Sequence, residues 1–377
     1  MTTVVLGGGY AGIMAANRLA ARGAPVQLVT TRPWFVERIR LHTVASGARV
    51  DARVPLDELL DERVELTLGT AVRAGSDVLE LESGGDVPFE TLVLAVGSGA
   101  SPAPDATWRS GGAWGSGAAM SPRAFRVTEE DDAARLRAEL EARPDARVTV
   151  VGAGLTGIEL AGALTAAGRS VRLVSAHEPR RAATKAHLAE LARRGVTIET
   201  GVHLDVEHLE DTHDEVLVDA TGLLVPPLAH ESGLPTDEHG RLIVDETLSV
   251  PGHPRILGAG DAVLVRDPRA RHLRAACATA LPMGAHAADV ILARADGQDP
   301  APFDLGYLMQ CVDLGNGRGH VQLVRPDDSE RAIALTGRAG GLLKETVCRL
   351  TLQWMARAGR YSWPAGPAVA AAPALAR

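Results

Sequence analysis

Two apolar runs along this chain share one pattern: a few aliphatic or β-branched residues, then closely spaced glycines, then a stretch of small residues. The first run ends at Gly7 and the second at Gly152. Neither run contains a charged residue, which is typical of a strand buried on both faces of a parallel sheet. The small residues that follow are typical of a helix packed closely on such a sheet. The pattern therefore predicts two βαβ units, over residues 3–30 and 147–174.

Three further apolar runs end in glycine or in a Gly-Asp pair. Residues 90–97 and 215–222 occupy equivalent places after the two units, and they predict buried parallel strands. Residues 255–261 form the third run. We expect this last strand to rejoin the first sheet, so that the second unit is an insertion in the first domain.

The domain organisation follows from this repeat. A chain of 377 residues is long enough for two or three domains. The predicted fold is α/β, with two Rossmann-like three-layer domains, the second inserted in the first, and a small C-terminal α+β unit. The predicted bounds are residues 1–113 and 245–302 for the first domain, 114–244 for the inserted domain, 303–363 for the C-terminal unit and 364–377 for a disordered tail rich in alanine and proline.

The segments outside the βαβ units carry weaker patterns. Residues 98–122 are rich in glycine, serine, alanine and proline, and they predict a connection without regular structure. Thr128 is a candidate N-cap for a charged helix over residues 128–143. The other predicted elements are a helix over 184–194, a strand over 196–200, a hairpin of strands 307–314 and 320–324 with a turn at 315–319, and a helix over 341–358.

Composition narrows the class of protein. Hydrophobic residues make up 46% and charged residues 23% of the chain, which indicates a soluble globular protein. The formal net charge of −8 argues against a nucleic-acid partner, which requires a basic face. No apolar stretch approaches the ~18 residues of a transmembrane helix, and no secretory signal pattern is visible. We therefore expect a cytoplasmic protein.

The cysteines indicate no disulfide chemistry. Cys277, Cys311 and Cys348 lie far apart in the sequence, and none belongs to a Cys-x-x-Cys motif. We expect isolated buried thiols and no redox dithiol. No metal site is predicted either.

The two glycine clusters carry the chemistry. Each follows the pattern Gly-x-Gly-x-x-Gly directly after a predicted strand and before a predicted helix. The first glycine of such a motif permits a tight turn, the second lets the backbone approach a pyrophosphate, and the third lets the helix pack closely on the strand. The helix N-terminus supplies free N–H groups to the phosphates. Two motifs imply two dinucleotides and therefore electron transfer between them.

Further motifs relate the chain to a family. They are residues 35–42, 220–222, 258–261, 280–289, 335–338 and 344–348. With these motifs the chain resembles the two-dinucleotide flavoproteins of the pyridine nucleotide-disulfide oxidoreductase-like superfamily, and within it the type II NADH dehydrogenases. The resemblance implies FAD in the first domain and NADH or NADPH in the second.

The resemblance assigns cofactor contacts residue by residue. For FAD they are Gly7, Gly9, Tyr10, Ala11, Gly12, Thr30, Val96, Gly97, Gly260, Asp261, Leu281 and Pro282. For the nicotinamide nucleotide they are Gly152, Gly154, Leu155, Thr156, Gly157, Ser175, Arg180, Arg181 and Gly222. Asp261 is expected to accept a hydrogen bond from the ribityl chain. Pro282 is expected to begin a helix that runs to about Ala295 and points its N-terminus at the flavin.

The candidate catalytic residues are Glu37, Arg40, His42 and Glu159. The resemblance implies that Glu159 reaches toward the nicotinamide, with a solvated surface carboxylate as the alternative. Glu37, Arg40 and His42 fall where loops of related proteins approach the flavin, and a histidine can donate a proton near neutral pH. A structural salt-bridge network is the alternative for these three.

The chain departs from the family pattern at three places. Thr30 stands where an acidic residue normally binds the adenosine ribose. Ser175 stands at the equivalent place of the second unit, and the basic residues after it favour NADPH over NADH. Pro282 and Met283 replace the paired glutamines of membrane-bound relatives. The apolar stripe of the last predicted helix favours core packing or a homodimer face, and it leaves peripheral membrane contact open.

These features predict an FAD-dependent NAD(P)H oxidoreductase. Hydride passes from the nicotinamide to the flavin, and electrons then reach a quinone or another small-molecule acceptor. Two alternatives keep the fold. One is a flavin dehydrogenase or oxidase that modifies a small organic metabolite with little use of NAD(P)H, and the other is a non-catalytic NAD(P)H sensor.

Overall fold

A computed structural model describes residues 2–99, 124–204 and 214–368. The strands of these segments are β1 Thr3–Leu6, β2 Val26–Thr30, β3 Trp34–Val36, β4 Arg53–Pro55, β5 Val64–Leu68, β6 Ala71–Ala74, β7 Val78–Leu81, β8 Asp86–Pro88, β9 Thr91–Leu94, β10 Arg147–Val151, β11 Val171–Ser175, β12 Thr197–Thr200, β13 Glu215–Asp219, β14 Leu242–Val244, β15 Ser249–Val250, β16 His253–Gly258, β17 Val263–Val265, β18 Met309–Asp313, β19 Gly319–Val324 and β20 Glu330–Thr336. The α-helices are α1 Tyr10–Ala21, α2 Leu41–Ala45, α3 Leu56–Leu59, α4 Glu130–Ala142, α5 Leu155–Ala166, α6 Ala182–Arg193, α7 Leu228–Glu231, α8 Cys277–Ala295 and α9 Gly337–Ala356.

The first sheet has six strands in the order β15-β16-β9-β1-β2-β5. Strand β1 pairs in parallel with β2 and β9, and β16 pairs in parallel with β9. Since β16 follows the whole second βαβ unit in sequence, the chain returns to its first sheet as expected. The predicted domain bounds stay a prediction, and the bound between residues 113 and 114 lies outside the described residues.

Helices α1 and α8 pack on this sheet and on each other. Ile13 and Met14 are fully buried in the core beneath α1. Gly284 of α8 lies so close to α1 that a Cβ atom would overlap the carbonyl oxygen of Ala11. This close approach brings the first turns of both helices to the same edge of the sheet.

The second sheet has four parallel strands in the order β12-β11-β10-β13. Helix α5 follows β10 and buries Ile158 and Leu160 completely. These two sheets confirm the α/β fold with parallel sheets. The helix over 184–194 and the strand over 196–200 correspond to α6 and β12.

The C-terminal unit is a three-stranded antiparallel sheet, β18-β19-β20, followed by α9. The predicted hairpin is present, and the N–H of Leu314 donates to the carbonyl of Arg318 across its turn. Strand β20 and the antiparallel strands β6-β7-β8 were not predicted. Gly162 of α5 contacts this unit so closely that a Cβ atom would meet the backbone of Leu314 at 2.8 Å.

Three predicted helix starts are wrong, and one of them is that of α9, which begins at Gly337 and not at residue 341. Helix α8 begins at Cys277, so Pro282 lies inside it. Because proline has no N–H, the carbonyl of Ala278 loses its helical partner, and the helix tolerates this near its N-terminus. Helix α4 begins at Glu130 with no side-chain cap, and Thr128 donates instead to the carboxylate of Asp132 at 3.0 Å.

Other predictions fall at or outside the limits of the described residues. Most of the predicted connection over 98–122 lies outside them, as does the part of the predicted tail from residue 369 onward. Pro364, at the start of that tail, accepts a hydrogen bond from the N–H of Gly306. Among the helices of residues 2–99, 124–204 and 214–368, none is both long and apolar enough to span a membrane.

Candidate active site

A cavity of about 870 Å³ lies where the two parallel sheets and the C-terminal unit meet. From the first sheet and α8, the predicted contacts that border it are Gly7, Gly9, Tyr10, Ala11, Thr30, Val96, Gly97, Gly260, Asp261, Leu281 and Pro282. From the second sheet they are Leu155, Thr156, Glu159 and Gly222. Helix α9 closes the cavity with Leu343, Lys344, Val347, Cys348, Leu350, Thr351 and Trp354. We call this space the main cavity.

The first glycine turn leaves no room for a side chain at Gly7 or Gly12, but it leaves open space at Gly9. Gly7 has a φ of +113°, and a Cβ atom there would overlap the carbonyl of Ala95. A Cβ atom at Gly12 would overlap the carbonyl of Gly7, whereas one at Gly9 would meet no protein atom. Gly9 is the N-cap of α1 and provides no side-chain cap, so the first N–H groups of α1 are free for an anion.

Asp261 lies at the carboxyl end of the first sheet and is partly buried. Its Oδ2 atom accepts a hydrogen bond from the Ser98 hydroxyl at 3.3 Å. Its Oδ1 atom is fully buried and makes no hydrogen bond of normal geometry with the described residues, although the Ala276 backbone lies nearby. Burial raises the pKa of the Asp261 carboxyl, against the lowering effect of Arg38. An unpaired buried oxygen is costly, and a flavin ribityl hydroxyl would satisfy it, so the residues present fit FAD.

Thr30 and Tyr10 complete the wall on this side. Thr30 is buried at the end of β2, and a Cβ atom at Gly8 would lie 2.7 Å from its hydroxyl oxygen. The carboxylate nearest in the ion-pair network is that of Glu129, which borders the cavity and pairs with Arg32 at 2.9 Å. Tyr10 packs edge-on against Phe35, with ring centroids 4.8 Å apart.

The N-terminus of α8 reaches the main cavity through residues 275–278, which precede the predicted start at Pro282. Ala276 is the N-cap and offers no side-chain cap. Leu281 and Pro282 border the cavity from the next turn. The expected partial positive charge at this wall is therefore present, but it comes from residues five positions earlier in the helix.

The second glycine turn repeats the geometry of the first. Gly152 has a φ of +111°, and a Cβ atom at Gly157 would overlap the carbonyl of Gly152. A Cβ atom at Gly154 would meet no protein atom. Gly154 is the N-cap of α5 without a side-chain cap, so this helix too offers free N–H groups. The turn closes beside Gly222, which has a φ of +68°.

Six of the predicted nucleotide contacts do not border the main cavity, namely Gly152, Gly154, Gly157, Ser175, Arg180 and Arg181. The Ser175 hydroxyl donates to the carbonyl of His177 at 2.9 Å, and Arg180 is exposed. Arg181 is held by the carboxylates of Asp328 at 2.9 Å and Glu330 at 3.3 Å. Its guanidinium is therefore already neutralised, whereas Arg180 has no ion pair with any residue that the structure describes.

Four elements bring charged groups together at the end of the main cavity. The Nζ atom of Lys344 lies 2.9 Å from Oε1 of Glu159, which also accepts the N–H of Asp313 at 3.0 Å. His42 lies between Glu159 and Asp313. Burial alone would lower the pKa of Lys344, but the charge and hydrogen bond of Glu159 raise it above its ordinary value. The cluster holds an ammonium and a carboxylate beside the space between the two glycine turns.

Sequence comparison supplies the family. A model of the family described as pyridine nucleotide-disulphide oxidoreductase matches residues 1–288. The chain belongs to this family. It is therefore an FAD-dependent oxidoreductase with a nicotinamide cofactor.

Curated relatives and solved structures agree with this assignment. An NADH dehydrogenase-like protein of Mycobacterium tuberculosis is 26% identical over 91% of this chain and 92% of its own length. The human ferroptosis suppressor protein 1 is 23% identical over 72% of this chain and 76% of its own length. NDH2 from Plasmodium falciparum, solved in complex with NADH, has the same fold with a TM-score of 0.74 at 14% identity, over 94% of this chain and 96% of that one.

Two of the four candidate catalytic residues of this oxidoreductase lie away from the main cavity. Arg40 forms ion pairs with Glu37 at 3.1 Å and with Glu345 at 2.7 Å. Neither Glu37 nor Arg40 borders the main cavity, and their arrangement is that of the structural salt-bridge network given as the alternative. His42 and Glu159 do border it.

Several residues of the site were missed. Arg38 donates to the Ser98 hydroxyl at 3.0 Å and to Glu129 at 2.6 Å, beside Asp261. Lys344 lies in residues 344–348, one of the motifs that carried the family resemblance, and that motif could have indicated it as a site residue. Asp313 belongs to no motif, and only the fold places it beside His42.

The three cysteines are free thiols, as the sequence predicted, and Cys277, Cys311 and Cys348 all border the main cavity. Burial raises the pKa of all three thiols, to about 11 for Cys311 and Cys348. The thiols are therefore protonated at neutral pH and are poor nucleophiles.

Proposed function

We propose that this oxidoreductase transfers electrons from NAD(P)H through FAD to a small apolar acceptor of the quinone type. The observation that carries the proposal is that one cavity joins the first glycine turn, the first residues of α5 (Leu155 and Thr156) and an apolar wall of the C-terminal unit. FAD supplies the redox chemistry when bound, because it accepts hydride from a nicotinamide and returns electrons to an acceptor. The protein's residues hold and orient the three molecules.

On the FAD side, three features fit an anionic and hydroxyl-rich ligand. The N-terminus of α1 would hold the pyrophosphate, and the unpaired oxygen of Asp261 would accept a ribityl hydroxyl. The N-terminus of α8 would stabilise negative charge on the reduced ring. Arg38 adds a positive charge close to Asp261.

On the nicotinamide side, the N-terminus of α5 would hold the second pyrophosphate. Glu159 borders the same cavity one turn further along α5, with an exposed side-chain fraction of 11%. Its partner Lys344 fixes one carboxylate oxygen. Glu159 would therefore face the nicotinamide in a fixed orientation, which supports hydride transfer by positioning.

The acceptor side is apolar and aromatic. Val347, Leu350 and Trp354 of α9 border the cavity together with Tyr361 and Trp363. A flat apolar ring suits such a wall better than a charged metabolite does. A structural neighbour is a sulfide:quinone oxidoreductase from Aquifex aeolicus, with a TM-score of 0.74 at 17% identity, over 95% of this chain and 92% of that one. His42 would donate a proton to the acceptor.

The choice between NADH and NADPH stays a prediction. Ser175 and Arg180 still favour the 2′-phosphate of NADPH over an unphosphorylated ribose, because no carboxylate occupies position 175. Arg181 contributes less than expected, since Asp328 and Glu330 bind it.

A mutation on α9 tests the acceptor side. Val347→Trp would fill the apolar part of the cavity, whereas Leu342→Trp lies on the outer face of the same helix at a position 70% exposed. We expect Val347→Trp to raise the KM for a short-chain quinone at least tenfold, with little change for ferricyanide, and Leu342→Trp to change neither. Equal effects of both variants would contradict the proposed acceptor site. A wild-type enzyme that reduces no acceptor in the presence of NADPH or NADH would contradict the function itself.

A further inference from the structure

A second, smaller cavity of about 170 Å³ lies beside the main one. It is bordered by polar residues, among them Arg40, His42, Asp313 and Glu345. Four residues border both cavities, namely Ile39, His42, Lys344 and Cys348. They separate the polar space from the space proposed to hold the nicotinamide and the acceptor, and His42 and Lys344 are the ionisable polar side chains among them.

The two ring nitrogens of His42 face different partners. Its Nε2 atom lies 3.3 Å from Oδ2 of Asp313, which borders only the second cavity. Its Nδ1 atom lies 4.0 Å from Oε2 of Glu159, which borders only the main cavity. An imidazole in this position can accept a proton on one side and release one on the other.

The side chain of His42 is much less exposed to solvent than that of Asp313. The side chain of Asp313 is 28% exposed and that of His42 is 5% exposed. The Asp313 side of the imidazole is therefore the side open to solvent, whereas the imidazole itself is nearly closed off from it.

The carboxylate of Asp313 is fixed toward the ring. Its Oδ1 atom accepts the N–H of Gly315 at 2.7 Å, which leaves Oδ2 for His42. Burial would raise the pKa of the Asp313 carboxyl, but the hydrogen bond and charge of His42, the Gly315 N–H and the charge of Lys344 hold it below its ordinary value. Asp313 is thus a carboxylate whose Oδ2 atom is held within hydrogen-bond distance of the His42 ring.

Among the described residues, the charged neighbours of His42 are poorly suited to take over its transfer of a proton. Glu159, Asp313 and Lys344 are the charged groups that face it from α5, β18 and α9. Helix α4 packs on α2 through an apolar cluster that includes Leu136. The pKa values of Arg40 and Lys344 are raised, so both side chains retain their protons at neutral pH.

We propose that Asp313 and the second cavity supply, through His42, the solvent proton that reduction of a quinone-type acceptor consumes. This inference rests on the proposed function. The overall reaction is NAD(P)H + H⁺ + acceptor → NAD(P)⁺ + reduced acceptor carrying two hydrogens, so each turnover takes one proton from solvent. The Nδ1–H bond of the imidazolium breaks and its proton passes into the main cavity, directly or through Oε2 of Glu159. The neutral ring keeps its Nε2–H toward Asp313, so before the next turnover it rotates about the Cβ–Cγ bond and turns its unprotonated nitrogen toward the second cavity. There it takes up one proton from solvent, and Asp313 acts as a positioning residue that holds the ring between the two cavities.

The test compares acceptors that differ in their need for protons. A quinone consumes a proton in the cavity, whereas ferricyanide accepts electrons alone. We expect Asp313→Asn to slow quinone reduction at least tenfold, to leave ferricyanide reduction within twofold of wild type, and to leave flavin reduction by NAD(P)H unchanged. Asp313→Glu, which retains an acid, restores the quinone rate to within a few-fold. The matched control is Asp327→Asn, a carboxylate of the same C-terminal sheet that bonds to Ser329 and borders neither cavity.

A second readout needs no turnover. In ¹⁵N-histidine NMR spectra, the ring signals of His42, assigned from their loss in His42→Gln, should change in Asp313→Asn and stay in place in Asp327→Asn. The proton route would be overturned if Asp313→Asn slowed the reduction of quinone and of ferricyanide equally. It would also be overturned if the His42 ring signals were the same in Asp313→Asn as in the wild type. Failure of wild-type flavin to be reduced by either nucleotide would instead overturn the proposed function.

Discussion

Replacing Gly154 by alanine separates nucleotide binding from folding. Gly154 has φ −71° and ψ 176°, which any residue adopts, and an added Cβ atom meets no protein atom within 4 Å. A change from glycine to alanine at a compatible site stabilises a protein by about 0.4–1 kcal/mol through the unfolded chain. We therefore expect Gly154→Ala to fold normally and to keep its FAD.

The same methyl group stands at the N-cap of α5, where the backbone is proposed to approach the pyrophosphate. Loss of one hydrogen bond to a charged group costs about 1.5–3 kcal/mol, which corresponds to a roughly 10- to 150-fold weaker Kd. Isothermal titration of the FAD-loaded enzyme with NADPH and with NADH measures this change, and the flavin absorbance reports FAD retention.

Two further alanine variants serve as controls. Gly9→Ala is the same change in the first turn, again with no protein atom near the added Cβ, and it should weaken FAD binding. Gly157→Ala would force overlap with the carbonyl of Gly152 and should lower the free energy of unfolding. The reasoning is refuted if Gly154→Ala binds both nucleotides as wild type does, or if it releases FAD while Gly9→Ala retains it.

Three other predictions concern single side chains. Asp261→Asn should weaken FAD binding about tenfold or more, and at neutral pH it should stabilise the apoprotein in thermal denaturation, because a carboxyl with a raised pKa destabilises the fold once it ionises. Burial lowers the pKa of His187 from 6.5 to about 4, so between these pH values the unfolded chain binds a proton that the folded chain does not. The free energy of unfolding should therefore fall by about 3 kcal/mol as the pH drops through this window. In urea titrations at pH 7 and pH 4, His187→Leu should lose this part of the pH dependence, and an unchanged pH dependence would refute the assignment. Arg180→Ala should lower the ratio of kcat/KM for NADPH to that for NADH more than Arg181→Ala does, because Arg181 already has carboxylate partners; an effect confined to Arg181 would contradict this.

The sequence was sufficient where local geometry decides the structure. Only glycine fits at Gly7 and Gly152, where φ is positive and a carbonyl lies against the Cα atom. The uninterrupted apolar runs before these turns then predicted the strands β1 and β10. The return of β16 to the first sheet also followed from the repeat of glycine-ended strands.

The sequence was insufficient where the outcome depends on distant contacts. Pro282 has the pattern of a helix start, yet α8 begins at Cys277. The first turn of α8 is held by distant contacts, since the Thr279 hydroxyl lies 2.5 Å from the hydroxyl of Tyr307. The cluster of His42, Glu159, Asp313 and Lys344 comes from four separate elements, so no local pattern could indicate it. The three cysteines converge on one cavity for the same reason.

The central claim is that one cavity brings a nicotinamide into contact with a flavin, and anaerobic stopped-flow absorbance tests it most directly. FAD-loaded enzyme mixed with NADPH or NADH should lose its flavin absorbance in a single rapid phase, before any acceptor is added. Gly154→Ala should show the same loss only at far higher nucleotide concentration. A wild-type flavin that keeps its full absorbance with saturating amounts of both nucleotides would contradict the account.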